Sequence, residues 1–268
     1  MAETQNEPIT LEVHGKIAII TLNIERKLNA LTPVHYHLLG KLLRDVATRD
    51  EVVVTLLTGN GRYFSAGIDV TSHRANPPGQ DARQFWLKSF LATNIEVTRA
   101  FYTHPKILVT ALNGPVLGLT AALIAHSDFI YATENAFLMT PFTSIGLVTE
   151  GASSVAFVRR MGIARANEAL ILSKRISARE LLESGFVNKI IPESNFREGV
   201  LAYVKEHFGD HLNGESMLKA KALIRGPEMG LMEQQNAMEV FGGVERFMLG
   251  IPQEEFRKLA SGAKRHKL

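Results

Sequence analysis

The sequence predicts an α/β fold built around a largely parallel, buried sheet. Two runs, EVVVTLLTG (51–59) and KILVTALNG (106–114), are apolar at successive positions, rich in β-branched residues and ended by glycine. Strands buried on both faces read this way, because neither face alternates with polar residues. Each run leads into a glycine turn, SAGIDV (65–70) and NGPVLGLTAAL (113–123). Strand, glycine turn and helix thus recur at 52–70 and 106–126, and this alternation is the signature of α/β architecture.

The remaining elements follow in order. ITLEV (9–13) and KIAIITL (16–22) flank His14-Gly15 and predict a hairpin. Leu31 to Ala47 carries apolar residues at helical spacing behind Thr32-Pro33, a cap and a first-turn proline. Pro77-Pro78-Gly79 marks a surface loop, and 81–103 reads as helix. DFIYAT (128–133) and AFLMT (136–140) are short strands, followed by a helix to about residue 161. SARELLESGFVN (177–188) is a helix stopped by Gly185, leading into the strand KIIP. From about 195 the pattern is helical, with a break at 226–230. The chain therefore divides into a core, 1–194, and a helical region, 195–268, expected to serve packing or oligomerisation.

Composition narrows the function classes. The 268 residues are 46% apolar and 21% charged, enough for a real core. Thirty Lys and Arg against 27 Asp and Glu leave a formal charge of +3, too small to point to nucleic acid. No basic stripe interleaved with aromatics appears either. Cysteine is absent, which removes disulfides and thiolate metal sites. The start, MAETQNEPIT, lacks the apolar or Arg-rich pattern of a presequence. The most apolar stretch, 107–125, is broken by Asn113, Gly114, Pro115 and Gly118, so no membrane span is expected.

Two features carry chemistry. The glycine turns are each expected to open a helix, whose first N–H groups lack intrahelical partners. Two such ends converging on one point would hold a developing negative oxygen, although a single turn of this kind is equally a plain structural turn. Neither has the spacing of a nucleotide-phosphate loop. The second feature is Glu150, a lone acid in SIGLVTEGASS (144–154), with no basic residue between His126 and Arg159. Phe142, Ile145, Leu147 and Val148 are expected to shelter it from water, which suits a reversible proton carrier. By itself the stretch reads equally as an acid at a helix start.

RYFSAGIDV, ALNGPVLGLTAALIAHSDFIYAT and PFTSIGLVTEGASS, in that order and spacing, resemble the enoyl-CoA hydratase/isomerase (crotonase) superfamily over roughly residues 9–195. Within it the chain is similar to the fungal peroxisomal delta-3,delta-2-enoyl-CoA isomerases. The resemblance implies a crotonase-like spiral of strand-strand-helix repeats with a helical C-terminal region that forms homotrimers or homohexamers. It also implies an oxyanion hole made by the N–H groups of Ile68 and Leu119, with Glu150 as the isomerase base. The acyl-CoA thioester would pass Ala66, Gly67, Asp69 and Val70, and NIERKLNAL (23–31) resembles the CoA-entry segment, with Lys27 and Ala30 as contacts. The usual Arg-Pro pair of that segment is missing.

Chemistry then separates the relatives. Moving a double bond from position 3 to position 2 needs one proton taken from C2 and one delivered at C4, so a single carboxylate and an oxyanion hole suffice. No metal, nucleophile or redox cofactor is called for, coenzyme A being part of the substrate. Hydratases of the superfamily use two glutamates, where this chain has Ala122 and Phe142; dienoyl-CoA isomerases add a second acid at the Phe142 position. Those two reactions, and a non-catalytic acyl-CoA-binding role, are the alternatives. Asn94, in the stripe Phe90, Asn94, Val97, Phe101, is expected either to face the site or to bond a neighbouring backbone. Asp69 and Asp128 are expected to bond backbone, and His104 and His126 to be surface or helix-end residues. The closing tripeptide His266-Lys267-Leu268 resembles a Ser-Lys-Leu address and predicts a peroxisomal import receptor as partner and the peroxisome as location.

Overall fold

The computed structural model describes residues 7–69 and 76–264; Val70 and the tripeptide 266–268 lie outside the described residues. The hairpin forms as expected, β1 (Ile9–His14) pairing antiparallel with β2 (Ile17–Leu22). From β2 the main sheet continues in parallel through β3 (Val54–Gly59), β4 (Ile107–Leu112), β6 (Phe129–Ala132) and the short β9 (Lys189–Ile190).

Both faces of this sheet are buried, which is why its strands read as continuous apolar runs. Ala18, Ile20, Leu22, Leu57, Leu108 and Ile130 face a core formed with α1 (Pro33–Ala47) and α3 (Ala92–Tyr102). Ile19, Val54, Leu56, Val109 and Tyr131 face a second cluster closed by α7 (Phe196–His207) and α8 (Gly214–Arg225). α1 begins where Thr32 Oγ1 accepts the His35 N–H and Pro33 occupies the first turn, a cap that contributes about 1 kcal/mol.

A smaller sheet forms the second layer: β5 (Val116–Leu117), β7 (Phe137–Met139) and β8 (Ile176–Ser177). Of its strands only β7 was legible in the sequence, as AFLMT (136–140); β5 and β8, two residues each, carry no periodicity. Two isolated bridges extend it, Ser65 to Val116 and Leu31 to Ile68, both parallel. These bridges bring the stretches 65–68 and 116–119 side by side.

The helix expected over 81–103 is α2 (Ala82–Trp86), a π-helical turn (Leu87–Leu91) and α3. α5 (Ser153–Leu170) loses helical geometry at Gly162 (φ +73°), one residue past the expected end, and then resumes. α6 (Ala178–Glu183) opens with a reciprocal Ser177–Glu180 capping box. The break at 226–230 is a 3-10 turn at Pro227 leading into α9 (Met229–Met248) and α10 (Ile251–Ala260). α9 packs along α3 and α2, and α10 returns onto the 143–145 turn, so the helical last quarter reaches back to the core.

Candidate active site

The two glycine turns meet. A Cβ built on Gly118 would lie 3.7 Å from the Gly67 Cα, and one on Gly67 would lie 3.0 Å from the Leu117 carbonyl oxygen. Both glycines have positive φ, +83° and +61°, so the close approach and the backbone conformation each call for glycine. Below them the layers are tied by side chains. Ser65 Oγ donates to the Asn29 carbonyl (2.8 Å), accepts the Gly67 N–H (3.1 Å) and meets Thr120 Oγ1 at 3.1 Å; Tyr36 Oη reaches the same Thr120 at 2.9 Å.

The two N–H groups expected as donors, those of Ile68 and Leu119, lie at these turns. The N–H groups flanking Ile68 are engaged, Gly67 by Ser65 and Asp69 by the Leu31 carbonyl at 2.9 Å. Leu119 is the second residue of α4 (Gly118–Ile124), where an N–H has no intrahelical acceptor. Among the described residues only the second turn opens a helix. SAGID lies in the bridge region of the small sheet, because pairing with Leu31 and Val116 holds it extended.

Ile68 and Leu119 line a cavity of about 220 Å³ whose wall also carries Glu150. Glu150 is 5% exposed, in a turn where Gly151 and Ala152 have φ of +73° and +53°. Phe142, Ile145 and Leu147 shelter it as expected, all buried. Val148 does not: it is 36% exposed and its side chain turns toward Gly242 of α9. Among the described residues lining the cavity, Glu150 is the only titratable one. Helix α5 starts three residues later, and its N-cap Ala152 supplies no side-chain bond. Instead Glu239 on α9 accepts the Ser154 N–H at 2.9 Å. Burial raises the pKa of Glu239, while hydrogen bonds from Ser154, Ala152 and Thr149 oppose the rise.

His126 is a correction. It stands just past the end of α4, as a helix-end residue should, but is buried, and its Nε2 donates to the Gly151 carbonyl at 2.8 Å. A carbonyl only accepts, so the proton sits on Nε2. Burial lowers its pKa to about 4, so the ring is neutral at pH 7. His104 is likewise buried, bonded to Thr55 Oγ1 at 2.8 Å and lowered to about 3 by burial. Both stand just past helix ends, those of α3 and α4, which tertiary packing covers.

Of the other expected residues, Ala66, Gly67 and Asn94 line the cavity. Asn94 is 3% exposed, and among the described residues no protein group bonds its amide, which leaves it directed to the cavity. Asp69 is buried and paired with Lys27 Nζ at 2.7 Å, an ion pair that the sequence reading did not anticipate; the turn that follows it lies outside the described residues. Lys27 and Ala30 lie on the 23–31 segment outside the cavity, and the segment joins the site through the bonds of Leu31 to Gly67 and Asp69. Asp128 accepts the Leu108 N–H (2.8 Å) as expected and also draws in Lys221 and Arg225.

Sequence reasoning missed the far wall of the cavity. Phe247 of α9 and Phe256 and Leu259 of α10 close it, some 100 residues downstream of Glu150. Phe247 stacks on Trp86 (centroids 4.3 Å apart, planes at 18°) and meets Phe90 edge-on, contacts worth about 1 kcal/mol each beyond burial. Among the described residues no helix is long and apolar enough to cross a membrane, and no three His, Asp or Glu side chains cluster as metal ligands would.

The comparisons agree with this geometry. Residues 12–238 match the family model described as enoyl-CoA hydratase/isomerase. The chain is 54% identical over 275 residues to a Delta(3,5)-Delta(2,4)-dienoyl-CoA isomerase of Pyricularia oryzae, covering 97% of this chain and 98% of that protein. It is 33% identical to a 3,2-trans-enoyl-CoA isomerase of Saccharomyces cerevisiae, with 98% of each covered. A crystal structure of an enoyl-CoA hydratase/isomerase from Pseudoalteromonas atlantica superposes with a TM-score of 0.85 at 25% identity, over 98% of this chain and 100% of that one. An apolar cavity with one acid facing two apposed glycine turns, on this fold and with these relatives, places the chain in the enoyl-CoA hydratase/isomerase family.

Proposed function

We propose that the chain is an acyl-CoA double-bond isomerase that converts a 3-enoyl-CoA to the trans-2-enoyl-CoA. Glu150 takes a proton from C2; the C–H electron pair forms a C1=C2 bond and the carbonyl pair moves onto the thioester oxygen, leaving a dienolate in which the old C3=C4 bond is still in place. The N–H groups of Ile68 and Leu119 stabilise that dienolate oxygen. Glu150 then returns the proton at C4, the charge collapses, and the carboxylate is restored with no atom gained or lost. The observation carrying this reading is that Glu150 is the only titratable side chain among the described residues lining the cavity.

The apolar far wall of Phe247, Phe256 and Leu259 suits the acyl tail, and Asn94 offers an amide to a polar group or water beside the reacting carbons. The coenzyme end would leave past Ala66, Asp69 and Ala30, with Lys27 at the rim, since Leu31 pairs directly with the strand that carries Ile68. The same reading expects a homo-oligomer, for which the exposed Leu223 and Ile224 of α8 supply an apolar face.

The Pyricularia relative favours a second reading, conversion of a 3,5-dienoyl-CoA to the 2,4-dienoyl-CoA. That reaction removes a proton at C2 and adds one at C6, a longer span than one carboxylate covers without moving, and Phe142 stands where a second acid would help. Purified protein given each substrate in parallel decides between them. Turnover of 3-enoyl-CoA well above that of 3,5-dienoyl-CoA supports the first reading, and the reverse order replaces it with the second. No turnover of either would reduce the chain to an acyl-CoA-binding protein.

A further inference from the structure

Glu239 is a buried carboxylate on α9 that the proton shuttle does not use, and among the described residues no cation pairs with it. Its Oε1 accepts the Ser154 N–H at 2.9 Å. Burying a carboxylate is costly unless hydrogen bonds compensate, and the Ser154 N–H supplies one.

What depends on it is the turn that carries Glu150. That turn has two successive residues of positive φ, Gly151 and Ala152, and the second is not glycine. Such a conformation persists only where its surroundings over-determine it. Three contacts do so from three sides. His126 Nε2 donates to the Gly151 carbonyl at 2.8 Å; Gly151 rests on Ala122 and Leu119 of α4; Glu239 holds the first turn of α5, where the N-cap residue Ala152 has no capping side chain.

The geometry points to Glu239 as a positioning residue, a cap lent by α9 that fixes the 150–154 turn and so aims Glu150 at the carbon above the oxyanion hole. The inference rests on Glu150 being the base. An acceptor at this place, rather than a proton, is what the turn requires. A glutamine therefore serves in its stead and a leucine does not.

The test compares Glu239→Gln and Glu239→Leu in the full chain, reading kcat and KM for 3-enoyl-CoA and the affinity for a saturated acyl-CoA. Glu239→Leu should lower kcat by about ten- to a hundredfold, the cost of a small misplacement of a catalytic group, with KM and saturated-ester affinity unchanged. Glu239→Gln should keep most of the kcat and the shape of its pH profile. Should the leucine variant fail to fold, Glu239→Asp keeps the charge, withdraws the acceptor by one methylene and should show the same kcat loss. In a Glu150→Gln background the Glu239→Leu change should add nothing. Equal losses in the Gln and Leu variants would mean that Glu239 moves a proton, and an unchanged kcat in Leu or Asp would mean that the turn holds without it; either overturns the inference. If Glu150→Gln itself stays active, the base assignment fails first, and the two failures are told apart.

Discussion

The Gly151 backbone rests on the Ala122 side chain: a Cβ added at Gly151 would lie 2.8 Å from the Ala122 Cβ and 3.3 Å from Leu119 Cδ1. The turn bearing Glu150 is therefore seated on the helix whose Leu119 lines the cavity. The spacing between the Glu150 turn and the start of α4 is set by a contact between two small residues, and any growth at either one pushes the two apart.

The single-acid reading predicts weak or absent hydratase activity on two grounds. The natural protein lacks both acids, and Ala122→Glu would thrust a carboxylate into the Gly151 contact. That variant should be destabilised by about 1–3 kcal/mol or more from overpacking, and should hydrate 2-enoyl-CoA no better than the wild type. Denaturant titration and a hydration assay check both halves. Efficient hydration by either protein would refute the single-acid account.

Glu150→Gln should fold, bind acyl-CoA esters and lose isomerase turnover by about 10²–10⁴-fold, the contribution of a placed general base. Steady-state kinetics alongside calorimetric binding of a saturated ester separate loss of chemistry from loss of binding.

Gly67→Ala tests the hole without touching an acid. The new methyl would meet the Leu117 carbonyl at 3.0 Å in a residue with φ of +83°. The Ile68 N–H should shift, and kcat should fall by about 10²-fold or more, as for a lost oxyanion donor. Affinity for the saturated ester, which develops no charge, should change far less.

Acid should unfold the protein through its buried histidines. His126 and His104 have pKa values lowered to about 4 and about 3 by burial, from 6.5. In the unfolded chain they take up protons below pH 6.5 while the folded chain resists, so stability falls as pH drops below 6.5 and levels off only below the folded values. His126 alone accounts for about 3 kcal/mol over that window. Glu239, raised by burial, works in the opposite sense. Denaturation midpoints followed from neutral pH into that window check the slope, and His104→Gln, which cannot titrate, should flatten it.

The sequence by itself determined the sheet, the glycine turns and the acid. Apolar runs such as KILVTAL, Thr32-Pro33 and the glycines at 67 and 118 are local signals, since periodicity, capping and positive φ depend on near neighbours. Glu150 stood out because no basic residue lies near it in the chain. Tertiary structure decided what those pieces face. The small sheet that lays residues 65–68 beside 116–119 is built from pairings too short to leave a pattern. The cavity's far wall comes from Phe247, Phe256 and Leu259, whose helical spacing looks the same whether it packs on a core, a partner or a substrate. His126 and Glu239 carry no local mark of their roles. A buried imidazole that grips a carbonyl 25 residues away, and a carboxylate that caps a helix 85 residues upstream, exist only once the chain has folded.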